Sequence, residues 1–479
     1  MYILTCCFFC DNVLYYKQQI IVMFKRVERM FLMKKRKALK KGLHLYEGKE
    51  LSKDFPITSI NASSVTVYPL SQHIGAPAEP LVKPGDRVLK GQMIAKAGGF
   101  VSAPVHSSVS GTVKSIENRR VVNGSSVKSI VVENDGLDEE VEGMGVKSNP
   151  DELSPQELLQ KIKDAGIVGL GGAGFPTAVK LSPKNADEVD TLIINGCECE
   201  PYLTVDYRIM LEKGEQIVKA VRQVQRILPN AKAVFGIEDN KNDSIKVIKG
   251  FIKPDDNMDI CELKTKYPQG GERSLIYAVT GRKINSKMLP ADAKCVVLNS
   301  STCFAIYNAL YENIPLIYRY MTVTGDGVNQ CNNFKVPLGC SHQYVAEKCG
   351  GLKDGVVKII SGGPMTGFAM SNLDVPVQKT SASILAFTED DVASVEATNC
   401  IHCGRCVSVC PSNLVPQMLA KTVKKNNYSA FEDMGGMECV QCGCCSYICP
   451  ARIPLTHLFN VGKAEVRKES NKQKSKGVN

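Results

Sequence analysis

Two hydrophobic rhythms divide the chain. Between residues 66 and 133 apolar and polar positions alternate in short runs broken by turn residues. "LVKPGDRVLKGQMIAKAGGFVSAPVHSSVSGTVKSI" carries Pro84-Gly85-Asp86, Lys90-Gly91 and Ser110-Gly111 between alternating stretches, which predicts a small β module. An acidic, Pro/Ser-containing linker spans 134–155. From about residue 156 the period lengthens. "SPQELLQKIKDAG" predicts a helix with Pro155 and acids near its start and Gly166 at its end. Strand-like "DTLIING" follows, then an amphipathic helix from Arg208 to Leu228, strand "KAVFGIE", and a helix from Asp243 to Ile252. Strand "MDICELKTKY", a helix from Glu272 to Thr280, strand "CVVLNSS" and a helix around Ala305 to Tyr311 complete the series. Such alternation predicts an α/β domain with a mostly parallel sheet. Residues 315–375 return to β character in "IPLIYRYMTVTGDGV" and "VVKIISGGPMTG", and 399–458 form a cysteine-dense helical unit before a basic tail.

The first module's rhythm resembles a biotinyl/lipoyl-type barrel-sandwich. In that family a modified lysine sits on the hairpin between the halves. Gly98-Gly99 stand at that tip here, so the resemblance implies a structural module with no swinging arm.

Composition is that of an ordinary globular protein, 44% hydrophobic and 23% charged, and the length suits about three domains. The net charge of +10 is unevenly placed: residues 25–53 hold a surplus of +8 and Lys463 to Asn479 a surplus of +4, leaving the body slightly acidic. A near-neutral body with two basic ends does not suit nucleic-acid binding, which concentrates charge on a folded face. The ends read as solvated tails, or as contacts to an anionic membrane surface or acidic partner. No run reaches the ~18 apolar residues of a membrane span. The opening "MYILTCCFFCDNVLYYKQQIIVMF" is interrupted by Asp11 and Lys17 and lacks a charged start and a cleavage site. It reads as an extension ahead of a start at Met30 or Met33. Of twenty cysteines, nine fall within 50 residues at metal-like spacing, which points to a reducing compartment and to metal.

Those nine contain a repeat. "CIHCGRCVSVCP" gives Cys400, Cys403, Cys406, Cys410 and Pro411, and "CVQCGCCSYICP" gives Cys439, Cys442, Cys445, Cys449 and Pro450, offset by 39 residues. Both read C-x2-C-x2-C-x3-C-P, the bacterial ferredoxin run, in which three cysteines wrap one cubane and the fourth ligates the other. One cluster is therefore assigned to Cys400, Cys403, Cys406 and Cys449, the other to Cys439, Cys442, Cys445 and Cys410. Structural zinc, the alternative, favours paired knuckles over two complete runs. Cys444 has no counterpart, since Arg405 fills its place, and reads as a non-ligand beside the cluster. His402 and Arg405 read as residues that pack or tune potential.

"GIVGLGGAGFPTAVKL" contains Gly169-x-Gly171-x-x-Gly174, which matches a dinucleotide fingerprint only in spacing, because a helix precedes it and Phe175-Pro176 follow. Its backbone N–H groups can still cradle a phosphate; the plain alternative is a tight connection. Strand "DTLIING" runs into "CECEPYLTVD", placing Glu198 and Glu200 at the carboxyl end of the sheet, where α/β ligands bind. Cys197 and Cys199 read as non-ligands.

Several stretches together resemble the C subunits of Rnf complexes, the ion-translocating ferredoxin:NAD+ oxidoreductases of bacterial membranes. They are "GIVGLGGAGFPTAVKLSP", "DTLIINGCECEPYLTVDYRIM", "KYPQGGERSLIYAVTGR", "LPADAKCVVLNSSTCFAIYNAL", "TVTGDGV", "IISGGPMTGFAM" and both cysteine runs. The match spans about 42 to 460. The middle domain is also similar to the flavin- and NADH-binding subunit of respiratory complex I. The resemblance implies an N-terminal basic extension (1–41), a barrel-sandwich hybrid (42–150), a central α/β FMN/NAD(H) domain (151–312), a β-grasp insert of the soluble-ligand-binding type (313–385), a helical 2×[4Fe–4S] ferredoxin-like domain (390–460) and a basic tail (461–479). It implies that Gly169, Gly171, Gly172, Ala173 and Gly174 hold FMN, and that Asn195, Glu198 and Glu200 face flavin and nicotinamide, the two glutamates as catalytic groups. Tyr267, Gly270, Gly271 and Glu272 would form a second loop near the dinucleotide, and Asn299 and Thr302 a third near the flavin phosphate. The implied cofactors are two [4Fe–4S] clusters and FMN, with NAD(H) as substrate. The implied partners are an iron–sulfur B subunit, membrane subunits and, indirectly, ferredoxin, on the cytoplasmic face of the bacterial membrane. Three departures stand out. Cys197 replaces an acid, Cys444 replaces a small non-cysteine residue, and an early glycine–histidine–proline stretch survives only in part as "GLHLYEG". Rival readings are a flavin-free wiring scaffold and a cobalamin reductase of similar domain order.

Overall fold

The computed structural model describes residues 38–476; the expectations for the first 37 residues, including a start at Met30 or Met33, lie outside them. After β1 (Ile57–Ser59) come the strands of the first module: β2 (Val65–Pro69), β3 (Glu79–Pro80), β4 (Arg87–Val88), β5 (Met93–Lys96), β6 (Val105–His106), β7 (Gly111–Arg120) and β8 (Ser126–Asn134). They form a four-stranded sheet in the order β2-β8-β7-β4 and a three-stranded sheet in the order β3-β5-β6. The inward positions of the alternation, Tyr68, Val88, Ile94, Val105, Val113 and Ile130, are fully buried, as a two-sheet core requires. Gly98 lies in the β5–β6 connection, and a Cβ there would stand 2.1 Å from the Pro77 carbonyl oxygen. Gly98 is pressed onto backbone, and its position has room only for glycine.

The α/β domain opens with the helix Pro155–Asp164, capped reciprocally by Ser154 and Glu157. Its sheet holds β9 (Thr191–Gly196), β10 (Lys232–Glu238), β11 (Met258–Leu263) and β12 (Cys295–Asn299), all parallel, in the order β11-β10-β9-β12. The chain builds outward from β9 to β11, then crosses back to lay β12 on the other side of β9. The gap between β9 and β12 is therefore a topological switch point, the place where such sheets bind ligands. The single helix expected from Arg208 to Leu228 is two, Val205–Glu212 and Gly214–Ile227. Lys213 leaves helical geometry, and a Cβ on Gly214 would meet Val247 at 2.8 Å, so close packing against the neighbouring helix Asn242–Phe251 breaks the run there.

The insert's sheet is larger than the β-rich stretch at 315–375. It contains β13 (Tyr318–Thr324), β14 (Asn332–Pro337), β15 (Lys358–Ser361), β16 (Phe368–Ala369) and β17 (Ser383–Phe387), with β1 as a sixth strand parallel to β14. Period-2 patterning cannot reveal that β1, which precedes the barrel-sandwich in sequence, pairs here.

The cysteine unit contains the helices Arg405–Val409, Pro416–Lys424, Tyr428–Asp433, Cys444–Tyr447 and Leu455–Lys476, packed around Leu419, Phe431 and Phe459. The last helix runs through most of the basic tail. Its Lys463 is buried and donates to the carbonyls of Met437 (3.2 Å) and Cys439 (2.6 Å). The start of the tail is thus part of the fold and not a solvated end. Among the described residues no helix is long and apolar enough to cross a membrane.

Candidate functional site

The 39-residue repeat extends to backbone conformation. His402 and Gln441, Gly404 and Gly443, and Asn413 and Arg452 all have positive φ, each pair at equivalent positions. Side chains rarely adopt that region, so its recurrence at matched positions marks one built loop used twice. Left-handed turns aim backbone N–H groups into a concavity that suits an anion. Two such groups reach sulfur: Gln441 N–H donates to Cys439 Sγ (3.4 Å) and Leu414 N–H to Cys410 Sγ (3.4 Å). Cys410, Cys439, Cys442 and Cys445 line one cavity, closed by Pro411, Leu414 and Phe459. Four thiols lining one cavity are the arrangement a cage-sized cluster needs. The residues therefore fit a [4Fe–4S] group. Cys400 and Cys403 are exposed, whereas Cys410 and Cys445 are buried. Cys444 lines the same cavity but is fully buried among Leu43, Tyr267 and Val409. A hydrogen bond between the Cys444 and Cys442 thiols pulls Cys442 down and holds Cys444 up.

The glycine loop, the strand-end loop and the second and third loops named from sequence meet at the β9–β12 switch point. Asn195 and Asn299 are register partners at the carboxyl ends of those strands. Asn195 Nδ2 donates to the Gly270 carbonyl (2.8 Å), which ties the second loop to β9. Asn299 caps the helix Ser300–Tyr311 by accepting from Ser301 N and Thr302 N. The hydroxyl of Thr302 accepts from Leu170 N–H (3.0 Å) inside the glycine loop. A Cβ on Gly171 would stand 2.7–2.9 Å from the Asn299 side chain, while a Cβ on Gly172 would meet nothing within 4 Å. Residues 171–173 are exposed, so the loop presents an open surface free of bulk.

Around this loop several buried donors lack a partner among the described residues: Thr177 Oγ1, Ser300 Oγ and Arg319 Nη1. Arg319 enters from β13, is 2% exposed, and donates to the carbonyls of Ser381 and Leu170 (both 2.6 Å). Burial pulls its pKa down to about 10, with the Asp206 charge acting in the opposite sense. A buried guanidinium held by carbonyls, beside orphaned hydroxyls, is costly alone and suits an anionic ligand such as a flavin phosphate. The residues present therefore fit FMN.

The two glutamates differ in occupation. Glu198 sits at positive φ, with its carboxylate accepting from the first-turn N–H groups of Asp206 (2.6 Å) and Tyr207 (3.2 Å) on the helix Val205–Glu212. Lys49 Nζ lies 3.8 Å from it and donates to the carbonyls of Glu198 (2.9 Å), Glu200 (3.2 Å) and Leu203. Burial raises the pKa of Glu198 and lowers that of Lys49, each opposed by the partner's charge. Glu198 thus holds the loop's shape instead of facing an open site. Glu200 points toward the insert. Its carboxylate accepts from Met365 N–H (3.1 Å) and the Thr366 hydroxyl (2.5 Å), and the Tyr267 hydroxyl stands 3.4 Å away. Glu272 is an exposed carboxylate paired with Lys180 (2.9 Å). Cys197 is buried against the Gly236 carbonyl, and Cys199 Sγ accepts from Gly270 N–H (3.3 Å), its thiol pushed up to about 12 by burial.

The cysteine unit docks on this site. Tyr267 Oη donates to the Cys442 carbonyl (2.8 Å). Glu438, next to Cys439, binds Arg273 (2.9 Å) and accepts from Ser286 N–H (2.8 Å). Lys49, Asp206 and Arg319 were not legible as site residues. Arg319 alone left a trace, a lone cation inside the apolar run "IPLIYRYMTV".

Comparison with known proteins agrees with this layout. Family models match the FMN-binding domain of the Nuo51 type at residues 162–308, the RnfC barrel sandwich hybrid domain at 37–137 and a 4Fe-4S dicluster domain at 399–453. The chain is 44% identical to the C subunit of the proton-translocating ferredoxin:NAD(+) oxidoreductase complex of Clostridium ljungdahlii, over 92% of this chain and 96% of that one. It is 40% identical to the C subunit of the Na(+)-translocating ferredoxin:NAD(+) oxidoreductase complex of Acetobacterium woodii, over 89% and 96%. It is 36% identical to the C subunit of the ion-translocating oxidoreductase complex of Rhodobacter capsulatus, over 91% and 84%.

Proposed function

The chain belongs to the family of C subunits of ion-translocating oxidoreductase complexes, and we propose that it is the peripheral subunit of a membrane-bound ferredoxin:NAD+ oxidoreductase, passing electrons between iron–sulfur clusters, FMN and NAD(H). Cys400, Cys403, Cys406 and Cys449 hold one cluster, and Cys439, Cys442, Cys445 and Cys410 the other. Gly169, Gly171, Gly172, Ala173, Gly174, Asn195, Asn299 and Thr302 form the flavin cradle, with Thr177, Ser300 and Arg319 added from the geometry. Tyr267, Gly270, Gly271, Glu272 and Glu200 border the nicotinamide side. FMN, when bound, supplies the exchange between one-electron and two-electron chemistry that clusters alone lack. The residues bind, orient and exclude water. Glu198 and Lys49 keep the strand-end loop in its strained shape, and Asn299 orders the helix start beneath the glycine loop.

The observation that carries the reading is the docking of the second cysteine run, through Tyr267 and Glu438, on the loop that borders the β9–β12 gap. It supports an order. The cluster with exposed ligands exchanges electrons with an iron–sulfur partner on the cytoplasmic side, and the buried cluster adjoins the flavin. Ion translocation then belongs to membrane partners. The test is Cys410→Ser in anaerobically purified protein. NADH should still bleach the flavin, one cluster signal should vanish, and electrons supplied as reduced ferredoxin in the presence of the iron–sulfur partner should no longer reach the flavin. Unimpaired transfer would overturn the order.

A further inference from the structure

Three segments far apart in sequence converge beside the second cysteine run, and none of their contacts is needed to hold a cluster or to cradle a flavin. The insert loop 361–367 reaches over the α/β domain, and its Met365 N–H and Thr366 hydroxyl both bind Glu200. A Cβ on Gly363 would stand 2.2 Å from Glu200 Oε2, so the loop is seated on the carboxylate with no side chain between. The same loop touches the cysteine run, where a Cβ on Gly443 would stand 3.0 Å from the Met365 carbonyl oxygen. Met365 also packs with Tyr267, Cys442 and Cys444. Between them, the Tyr267 hydroxyl has one proton and two acceptors: the Cys442 carbonyl at 2.8 Å and Glu200 Oε1 at 3.4 Å. The ring is buried.

We propose that Tyr267 is a positioning residue that couples the nucleotide site to the buried cluster: its hydroxyl proton is held on the Cys442 carbonyl because Met365 and Thr366 of the insert satisfy Glu200. The inference rests on the reading that Cys442 ligates a cluster. Its physical basis is that a hydrogen bond polarising a peptide next to a cluster thiolate favours the more negative, reduced cluster, since hydrogen bonding around the cluster tunes potential. The three donors to two acceptors form a network in which removing one redirects another. With Thr366 gone, Glu200 Oε1 loses its closest donor and draws the tyrosine proton away from Cys442. The insert, distant from both cofactors in sequence, thereby sets the energy of an electron leaving or entering the buried cluster.

The test compares Tyr267→Phe and Thr366→Val with the unaltered full chain, purified anaerobically, by EPR-monitored redox titration. Both variants should move the buried cluster's reduction equilibrium toward the oxidised form. The expected shift is up to tenfold for Tyr267→Phe, or about 59 mV for one electron, and smaller for Thr366→Val, with the exposed cluster unmoved. Thr366 is exposed at its hydroxyl contact, so its variant serves if Tyr267→Phe fails to fold. Identical potentials for the buried cluster in the unaltered chain and a folded variant would overturn the proposal, as would equal shifts in both clusters. Fewer than two clusters in the unaltered chain would instead overturn the functional reading beneath it.

Discussion

Replacing Glu198 separates a loop-holding role from a chemical one. Its carboxylate accepts two first-turn N–H groups and lies 3.8 Å from a buried lysine. Losing a helix-capping acceptor costs about 1 kcal/mol, within a range of roughly 0.5–2. Removing one partner of a buried pair costs roughly 3–5 kcal/mol, and the low end applies because Lys49 also donates to carbonyls of Glu198, Glu200 and Leu203. Glu198→Ala should therefore lose about 4 kcal/mol. Glu198→Gln keeps one acceptor for Asp206 N–H and should lose about half of that. For a domain of this size about 1 kcal/mol corresponds to roughly 2–4 °C in Tm, so the glutamine variant should melt about 4–8 °C lower. The assay pairs thermal unfolding with the rate of flavin bleaching by NADH per bound FMN. The folded glutamine variant should bleach within about threefold of the unaltered protein, since no more than ~0.7 kcal/mol of barrier is at stake. A variant with unchanged Tm and flavin content but a hundredfold slower bleaching would refute this reasoning and restore Glu198 to the chemistry.

Two further outcomes follow from burial. Cys444→Ser should keep both clusters, about eight irons from two cubanes, because Cys444 contributes packing and a hydrogen bond to Cys442; loss of four irons on iron analysis would make it a ligand. Burial pulls His106 down to about 3 and His342 to about 4, against ~6.5 in the unfolded chain. Both are neutral when folded, so their contribution is intact above pH ~6.5 and is lost as the unfolded state takes up protons, between pH ~6.5 and about 4 for His342 and between pH ~6.5 and about 3 for His106. The loss is at most about 1.4 kcal/mol per pH unit for each histidine. His342→Gln should lower stability at pH 7.5 yet flatten the pH dependence of Tm below 6.5; an unchanged slope would contradict the assignment.

What the sequence made legible was whatever depends on local pattern. The helix Glu272–Thr280 falls at its expected bounds because a glycine stands at each end, Gly271 before it and a left-handed Gly281 after it. The cysteine runs were readable because a cubane demands fixed spacing. Asn195 and Asn299 were readable as strand ends, although only the sheet order shows them to be register neighbours. What stayed hidden was long-range. β1 joins a sheet across the whole barrel-sandwich, Lys49 reaches the strand-end loop from before it, and Arg319 approaches the glycine loop from the insert. The partners of Glu198 were hidden for the same reason. A carboxylate at a strand end looks available until the helix that follows folds back onto it. The break at Lys213-Gly214 likewise depends on a neighbouring helix that amphipathic periodicity does not report.

The most direct test of electron transfer through flavin and two clusters is anaerobic reconstitution of the full chain, with iron and flavin counted before an NADH titration. About eight irons and one FMN per chain are expected, with flavin absorbance that bleaches as NADH is added. Eight irons with no flavin, and no spectral response to NADH, would contradict it and leave an iron–sulfur scaffold.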